Sequence, residues 1–381
     1  MMTLEELRLL TSAPVRAAIE ANRDRDPLAV ALDRSIPEAR LVATQLKYLA
    51  RAATKLPRYA AAGCILPPRA FEQASSEACA ASKRLEGRSV LDLTCGLGVD
   101  ARALAERFER VVTLERDPVL AAVARTNFAR LGARNIEVVE AAAEAFVART
   151  TERFDWIYAD PDRRSAEGRK LVRLEDCSPD IRALYPQLKR IAPRLCLKNS
   201  PLFDVAEAQR LFPTARIEVL SLAGECKEVV IYDDGTGPAL TATALGLGSY
   251  TAAPAATLPE PPPFDPARYR RLIVPDVALQ KARLVRQHLA GRADCYGENG
   301  YGFTVDRPQG LLGRIEEIER IEPFDPRALK RELKGLGVEL LKRDFPHSVE
   351  EMRRRTGLRA GSDRRIALTK IGGACWTIRL K

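Results

Sequence analysis

Asp92, Gly96, Gly98 and Glu115 carry the strongest chemical signal in this 381-residue chain, within the stretch SVLDLTCGLGVDARALAERFERVVTLERD at 89–117. Glycines at 96 and 98 permit a tight turn and let a ligand approach the backbone. The amides opening the helix that follows lack intrahelical partners. Glu115, closing the next strand, is placed to accept hydrogen bonds from a ribose diol. Gly96-x-Gly98-x-x-Ala101 also fits the dinucleotide fingerprint. Asp92 separates the candidate ligands: four positions before Gly96, a carboxylate repels a pyrophosphate and attracts an ammonium. An α/β turn that binds nothing is the third alternative.

A second constellation is Asp160-Pro161-Asp162-Arg163-Arg164. It follows an apolar strand, 154–160, and so arrives at the carboxyl edge of the sheet, where α/β folds place ligands. A guanidinium there can stack on a base or hold a phosphate. The plain alternative is an ion pair between Asp160 and Arg163 that closes the strand end.

These residues need a sheet to position them. Alternation and turn signals predict strands at 90–93, 111–114, 136–139, 154–160, 193–198, 216–222 and 227–232, with 240–245 a candidate eighth. The expected fold is α/β, a seven-stranded Rossmann-like sheet. A helical region, 1–70, precedes it, with caps read at Ser12, Asp26 and a Ser35–Glu38 capping box. The domain itself is expected over 71–248. Six prolines in 249–267 read as a linker. Beyond it, alternating β and α patterns suggest small α+β units at 268–323 and 324–381, with one long helix at 276–289.

Composition excludes several classes. Two histidines make a Ser-His-Asp triad or a His-rich metal site untenable, so no metal is expected. Eight scattered cysteines without a C-x-x-C pair read as core residues in a reducing cytoplasm. Cys196 sits inside a strand, a poor place for an attacking thiol. No apolar run approaches the ~18–20 residues of a membrane span. The formal charge is +10, and residues 268–381 hold 25 Lys+Arg against 15 Asp+Glu, so the whole excess lies there. Such a tail points to polyphosphate.

The pattern D-x-x-x-G-x-G with Glu115 downstream resembles motifs I and II of class I S-adenosylmethionine (SAM)-dependent methyltransferases. EQASSE (72–77), DLTCGLGVD (92–100), DPDRR (160–164), KNSPLFD (198–204) and ECKE (225–228) extend the likeness, as do PDVALQKA (275–282), GLLGRIEEIE (310–319) and KRDFPHSVEEMRRRTGL (342–358). Together they resemble bacterial proteins that join such a domain to a C-terminal THUMP-like domain. The resemblance implies SAM as cofactor, with Asp92, Thr94, Cys95, Gly96, Gly98, Glu115 and Arg116 around it and Gln73, Ser75 and Ser76 at its methionine end. It implies that Asp160, Pro161, Asp162 and Arg163 form the catalytic motif, in which the acid and a main-chain carbonyl hold an amine. Asp162 and Arg163 replace the proline and aromatic usual there, and Ala142 stands where relatives read adenine with an acid, so Glu140 or Glu144 is the substitute. It also implies RNA, tRNA or rRNA, as partner of 268–381, through ferredoxin-like and THUMP-like units. An RNA-binding module with a weak core, or a small-molecule methyltransferase, are the alternatives.

Overall fold

The computed structural model describes residues 2–161, 177–253 and 258–381. One sheet contains β1 (Gly87–Asp92), β2 (Phe108–Glu115), β3 (Ile136–Glu140), β4 (Trp156–Ala159), β5 (Arg194–Asn199), β6 (Arg216–Leu222), β7 (Glu225–Asp233), β8 (Ala239–Ala244) and β9 (Gly248–Thr251). Its order is β3-β2-β1-β4-β5-β7-β6-β8-β9. The expected seven strands are therefore nine. The start of the proline-rich segment is itself paired, Thr241 to Thr251 and Ala242 to Tyr250, because Ser249–Thr251 can form a strand where the later prolines cannot.

Two compact units divide the chain: Met1–Arg216 with Val230–Gly237, and Ile217–Val229 with Pro238–Lys381. In the first, β1 pairs in parallel with both β2 and β4, β2 with β3, and β4 with β5. The chain runs outward from β1 to β3 and returns to β4 on the other side. That reversal opens a crevice beyond the carboxyl ends of β1 and β4, the place where such sheets take ligands.

The N-terminal helices build against the helix Pro118–Arg130. Val42, Leu46, Leu49 and Ala52 form the buried face of Ala39–Lys55 and share a cluster with Tyr59, Ile65, Leu66, Phe71 and Val123. Asp26 caps Pro27–Leu32 through the Ala29 amide. The Ser35–Glu38 capping box does not form. Ser35 directs both its amide and its hydroxyl to Asp33, and Glu38 opens the helix at φ +51°. Ser12 precedes a helix at Ala13–Ala21, but its hydroxyl bonds back to the Leu9 carbonyl.

The second unit contains β10 (Arg271–Pro275), β11 (Asp294–Cys295), β12 (Gly302–Thr304), β13 (Gly313–Pro323), β14 (Gly337–Lys342), β15 (Arg359–Ala360), β16 (Arg364–Ile371) and β17 (Ala374–Leu380). They form one eight-stranded sheet, β11-β12-β10-β13-β17-β16-β14-β15. Long β13 pairs with β10 through its first half and with β17 through its second, with an irregularity between Ile318 and Arg320. Through β13 the strands of the expected ferredoxin-like unit, 268–323, thus join those of 324–381. The long helix expected at 276–289 is two short ones, Val277–Lys281 and Val285–Leu289, interrupted where Arg283 takes φ +56°. Among the described residues no helix is long and apolar enough to cross a membrane.

Asn127 is fully buried and ties the helical region to the sheet domain: its side chain accepts from the Ile65 amide at 2.8 Å and donates to the Ile65 carbonyl at 2.9 Å. Asn127→Ala leaves two buried backbone groups unpaired and should cost about 3 kcal/mol in urea unfolding. A parental midpoint would show that the 62–66 turn finds other partners.

Candidate cofactor and active site

The turn after β1 is locked by hydrogen bonds that the side chains around it supply. Gly96 and Gly98 take φ +54° and +81°, a region that favours glycine. Nothing lies within 4 Å of where a Gly96 side chain would start, whereas a Cβ on Gly98 would run into the Phe128 ring at 2.5 Å. Gly98 is therefore a packing requirement, and Gly96 faces open space. Glu115, half-buried at the end of β2, accepts from the Gly96 amide and the Asp117 amide, each at 2.9 Å. Burial pushes its carboxyl up, against the pull of those two amides.

Asp92 is fully buried. Its Oδ1 accepts from the Thr94 amide at 2.9 Å and hydroxyl at 3.3 Å, and its Oδ2 from the Thr113 hydroxyl at 2.6 Å. It braces the turn from beneath. Thr94 then accepts from the Asp160 amide at 2.8 Å, joining the ends of β1 and β4. Cys95 is buried and its thiol is pushed up by that burial, so the residue is packing.

Asp160 lies just past β4 with its side chain 31% exposed, and Pro161 beside it is buried. The partner of Asp160 is a residue the motif reading passed over. Lys198, at the end of β5, reaches Asp160 Oδ2 at 2.5 Å and Ser75 Oγ at 2.7 Å, and lies 3.7 Å from Asp100 Oδ2. Ser75 donates in turn to Asp100 Oδ2 at 2.7 Å. Buried Lys83 sits 2.9 Å from Asp100 Oδ1 and donates to the Cys79 carbonyl at 3.1 Å. Burial alone would raise the Asp100 carboxyl, but Lys83 and Lys198 outweigh it and hold the group below the ordinary carboxylate range. Two lysines and two aspartates thus form one interlocked cluster at the crevice.

Ser75 therefore belongs to the site. Ser76 instead caps the helix Glu77–Ser82 through the Cys79 amide. Gln73 is exposed at the end of Pro68–Gln73, and Arg116 is exposed and donates to Ser178 Oγ at 3.1 Å. Ala142 begins the helix Ala143–Arg149 without a side-chain cap. Asp162, Arg163 and Arg164 lie outside the described residues. Lys83, Asp100 and Lys198 were the omissions; Lys198 and Asp100 stand in the quoted motifs KNSPLFD and DLTCGLGVD, and a lysine closing an apolar strand was the available signal.

A parallel sheet with a reversal between β1 and β4, a glycine turn under an acid, and a strand-end carboxylate across the crevice define an α/β nucleotide-cofactor domain. A family described as methyltransferase domain matches residues 90–165, and one described as THUMP domain-like matches 313–381, starting eleven residues before the expected 324. An uncharacterized SAM-dependent methyltransferase of Mycobacterium tuberculosis is 31% identical over 338 residues, covering 84% of this chain and 90% of that protein. The chain belongs to the S-adenosylmethionine-dependent methyltransferases, and its fold is of the methyltransferase α/β type. A crystal structure of a candidate methyltransferase from Porphyromonas gingivalis W83 superposes with a TM-score of 0.81 at 25% identity, over 100% of this chain and 99% of that one. Ribosomal RNA small subunit methyltransferase J of Coxiella burnetii is 31% identical over 131 residues, 30% of this chain and 51% of that protein.

Burial pushes the Asp92 carboxyl up to about 7, although the Thr113 and Thr94 hydrogen bonds pull it down. An unfolded aspartate titrates near ~3.9, so the unfolded chain sheds this proton first. The contribution of Asp92 to stability is then fullest below about pH 4 and declines as pH climbs toward about 7. Asp92→Asn removes that slope. Melting curves across pH should show the variant gaining on the parent between about pH 4 and 7, with a constant gap above. A gap that stays constant over the same range would mean that Asp92 is already ionised in the folded state from about pH 4.

Proposed function

We propose that this chain transfers a methyl group from SAM to a base nitrogen in structured RNA, tRNA or rRNA. The observation that carries the proposal is the meeting of two features in one chain. The Asp160-Pro161 element is fixed beside the glycine turn, and a THUMP domain-like match covers 313–381. The ribosomal RNA methyltransferase relative supports the same acceptor class.

The donor set suits the cofactor: open space above Gly96 admits it, and Glu115 is held at the second strand's end for a ribose diol. In this reading the main chain of Thr94, Cys95 and Gly98 flanks it beside Arg116, Gln73 and Ser75 border its methionine end with the main chain of Ser76, and Glu140 or Glu144 reads the adenine. When bound, SAM supplies an electrophilic methyl on its sulfonium. The protein's own part is alignment and water exclusion. Asp160 and the Pro161 carbonyl orient the acceptor nitrogen in line with that methyl, with Asp162 and Arg163 completing the motif. Residues 71–248 are the catalytic domain and the region 268–381 grips RNA, which places the work in the cytoplasm.

Part of the second unit's positive charge is already balanced. Arg314, Arg320, Arg365, Arg379 and Lys381 pair with Glu316, Glu317, Glu322, Glu332 and Glu339. Among the described residues, exposed Lys330, Lys334, Arg354, Arg359 and Arg364 enter no such pair, so phosphate contacts are assigned to them.

Tritiated SAM incubated with RNA from cells lacking the gene tests the proposal. The parent protein labels RNA, and Asp160→Asn loses about 100-fold in transfer while keeping its affinity for S-adenosylhomocysteine. Labelling of small molecules alone would reject the acceptor class. In filter binding, Lys330→Ala with Lys334→Ala and Arg354→Ala should weaken RNA affinity about tenfold or more and flatten its salt dependence. An unchanged slope would remove these residues from the interface.

A further inference from the structure

Asp160 is held at two points. Its amide donates to Thr94 Oγ1, which fixes the backbone against the turn after β1. Its carboxylate meets the Lys198 ammonium at 2.5 Å, which fixes the side chain from the end of β5. Lys198 is itself oriented by Ser75 at 2.7 Å and by Asp100 at 3.7 Å, and Asp100 is anchored by buried Lys83. The lysine side chain is 10% exposed, against 31% for Asp160. The cation is thus withdrawn behind the acid, and the acid remains the group a ligand can reach.

Apolar residues of similar volume often replace buried ion pairs without loss, whereas a carboxylate that must hold one direction gains from a fixed cation. The geometry points to Lys198 as a positioning residue for methyl transfer, one that sets the direction in which Asp160 meets the acceptor. The inference rests on the acceptor-orienting reading of Asp160 given above. Lys198 touches neither methyl nor acceptor in this scheme and acts through Asp160.

Full-length parent, Lys198→Met, Lys198→Arg and Asp160→Asn proteins decide it. Each is assayed for transfer from tritiated SAM to RNA from cells lacking the gene, and for S-adenosylhomocysteine affinity by calorimetry. At saturating cofactor, Lys198→Met should transfer about 100-fold more slowly than the parent, and Lys198→Arg should recover about tenfold of that loss. Affinity for S-adenosylhomocysteine should stay within about threefold of the parent, well under 1 kcal/mol. Lys198→Met at the parental rate beside an inactive Asp160→Asn overturns the inference and leaves the reading of Asp160 intact. Both variants at the parental rate overturn both. Cofactor affinity falling as far as transfer makes Lys198 a cofactor ligand and also overturns it. If RNA accepts no methyl, thermal unfolding of Lys198→Met, Asp160→Asn and the double variant decides whether the pair exists. Additive losses overturn it, and a double variant no less stable than Lys198→Met alone supports it.

Discussion

A carboxylate withdrawn from water at the edge of a sheet must find cations or donors, and this requirement shapes the crevice. Three acids crowd the space beyond β1, β2 and β4: Asp92, Asp100 and Glu115, with Asp160 facing them. Each is satisfied differently. Asp92 takes two threonines, Glu115 two backbone amides, and Asp100 two lysines and a serine. Breaking a buried pair by removing one partner typically costs ~3–5 kcal/mol, because the other charge is left uncompensated. The cluster therefore tolerates little change, and it holds Ser75, the glycine turn and the ends of β4 and β5 in mutual register.

This partitioning removes the simple charge repulsion that a lone acid would offer a pyrophosphate. Sequence spacing placed the repulsive charge on Asp92, but burial pushes that group up to about 7. Asp100 stands in the first turn of Val99–Leu104, and its lysines keep it ionised. Lys83 and Lys198 balance that charge, so the cluster presents a diphosphate with no net repulsion. The choice against a dinucleotide therefore rests on the family to which the chain belongs.

What was legible in the chain follows from how local each signal is. Strands β1 to β7 and the β16–β17 hairpin over Gly372-Gly373 are apolar runs bounded by turn residues, and their periods are set within a few neighbours. The glycine turn and Glu115 were readable for the same reason. Ser35 was misread because Asp33, two residues away, competes for its hydroxyl, and a capping rule counts only the residue three ahead. The break at Arg283 has no proline or glycine to announce it, so two short helices read as one. Lys198 and Ser75 are 123 positions apart, and their 2.7 Å contact exists only once β1, β4 and β5 lie side by side.

The basic tail carries the same lesson at larger scale. An excess of ten positive charges over 268–381 reads as one polyanion-binding surface. Folding sorts it. Strands β13, β14, β16 and β17 bring arginines against glutamates, as in the bidentate arrangement of Arg365 with Glu339 and Glu316. Such cross-strand pairs stabilise register and largely cancel one another's field. Of the exposed basic residues outside such pairs, Lys330 and Arg354 lie on the helices Pro326–Glu332 and Val349–Thr356 and Arg359 and Arg364 at the turn beyond, while Arg268, Arg270, Arg283, Arg292, Arg307 and Lys370 lie elsewhere in the unit. Those two helices pack on one face of the sheet through Leu329, Leu333 and Met352, which turns Lys330 and Arg354 outward. Net charge measures what a domain holds, and the pairing pattern decides which face can present it to a phosphate backbone.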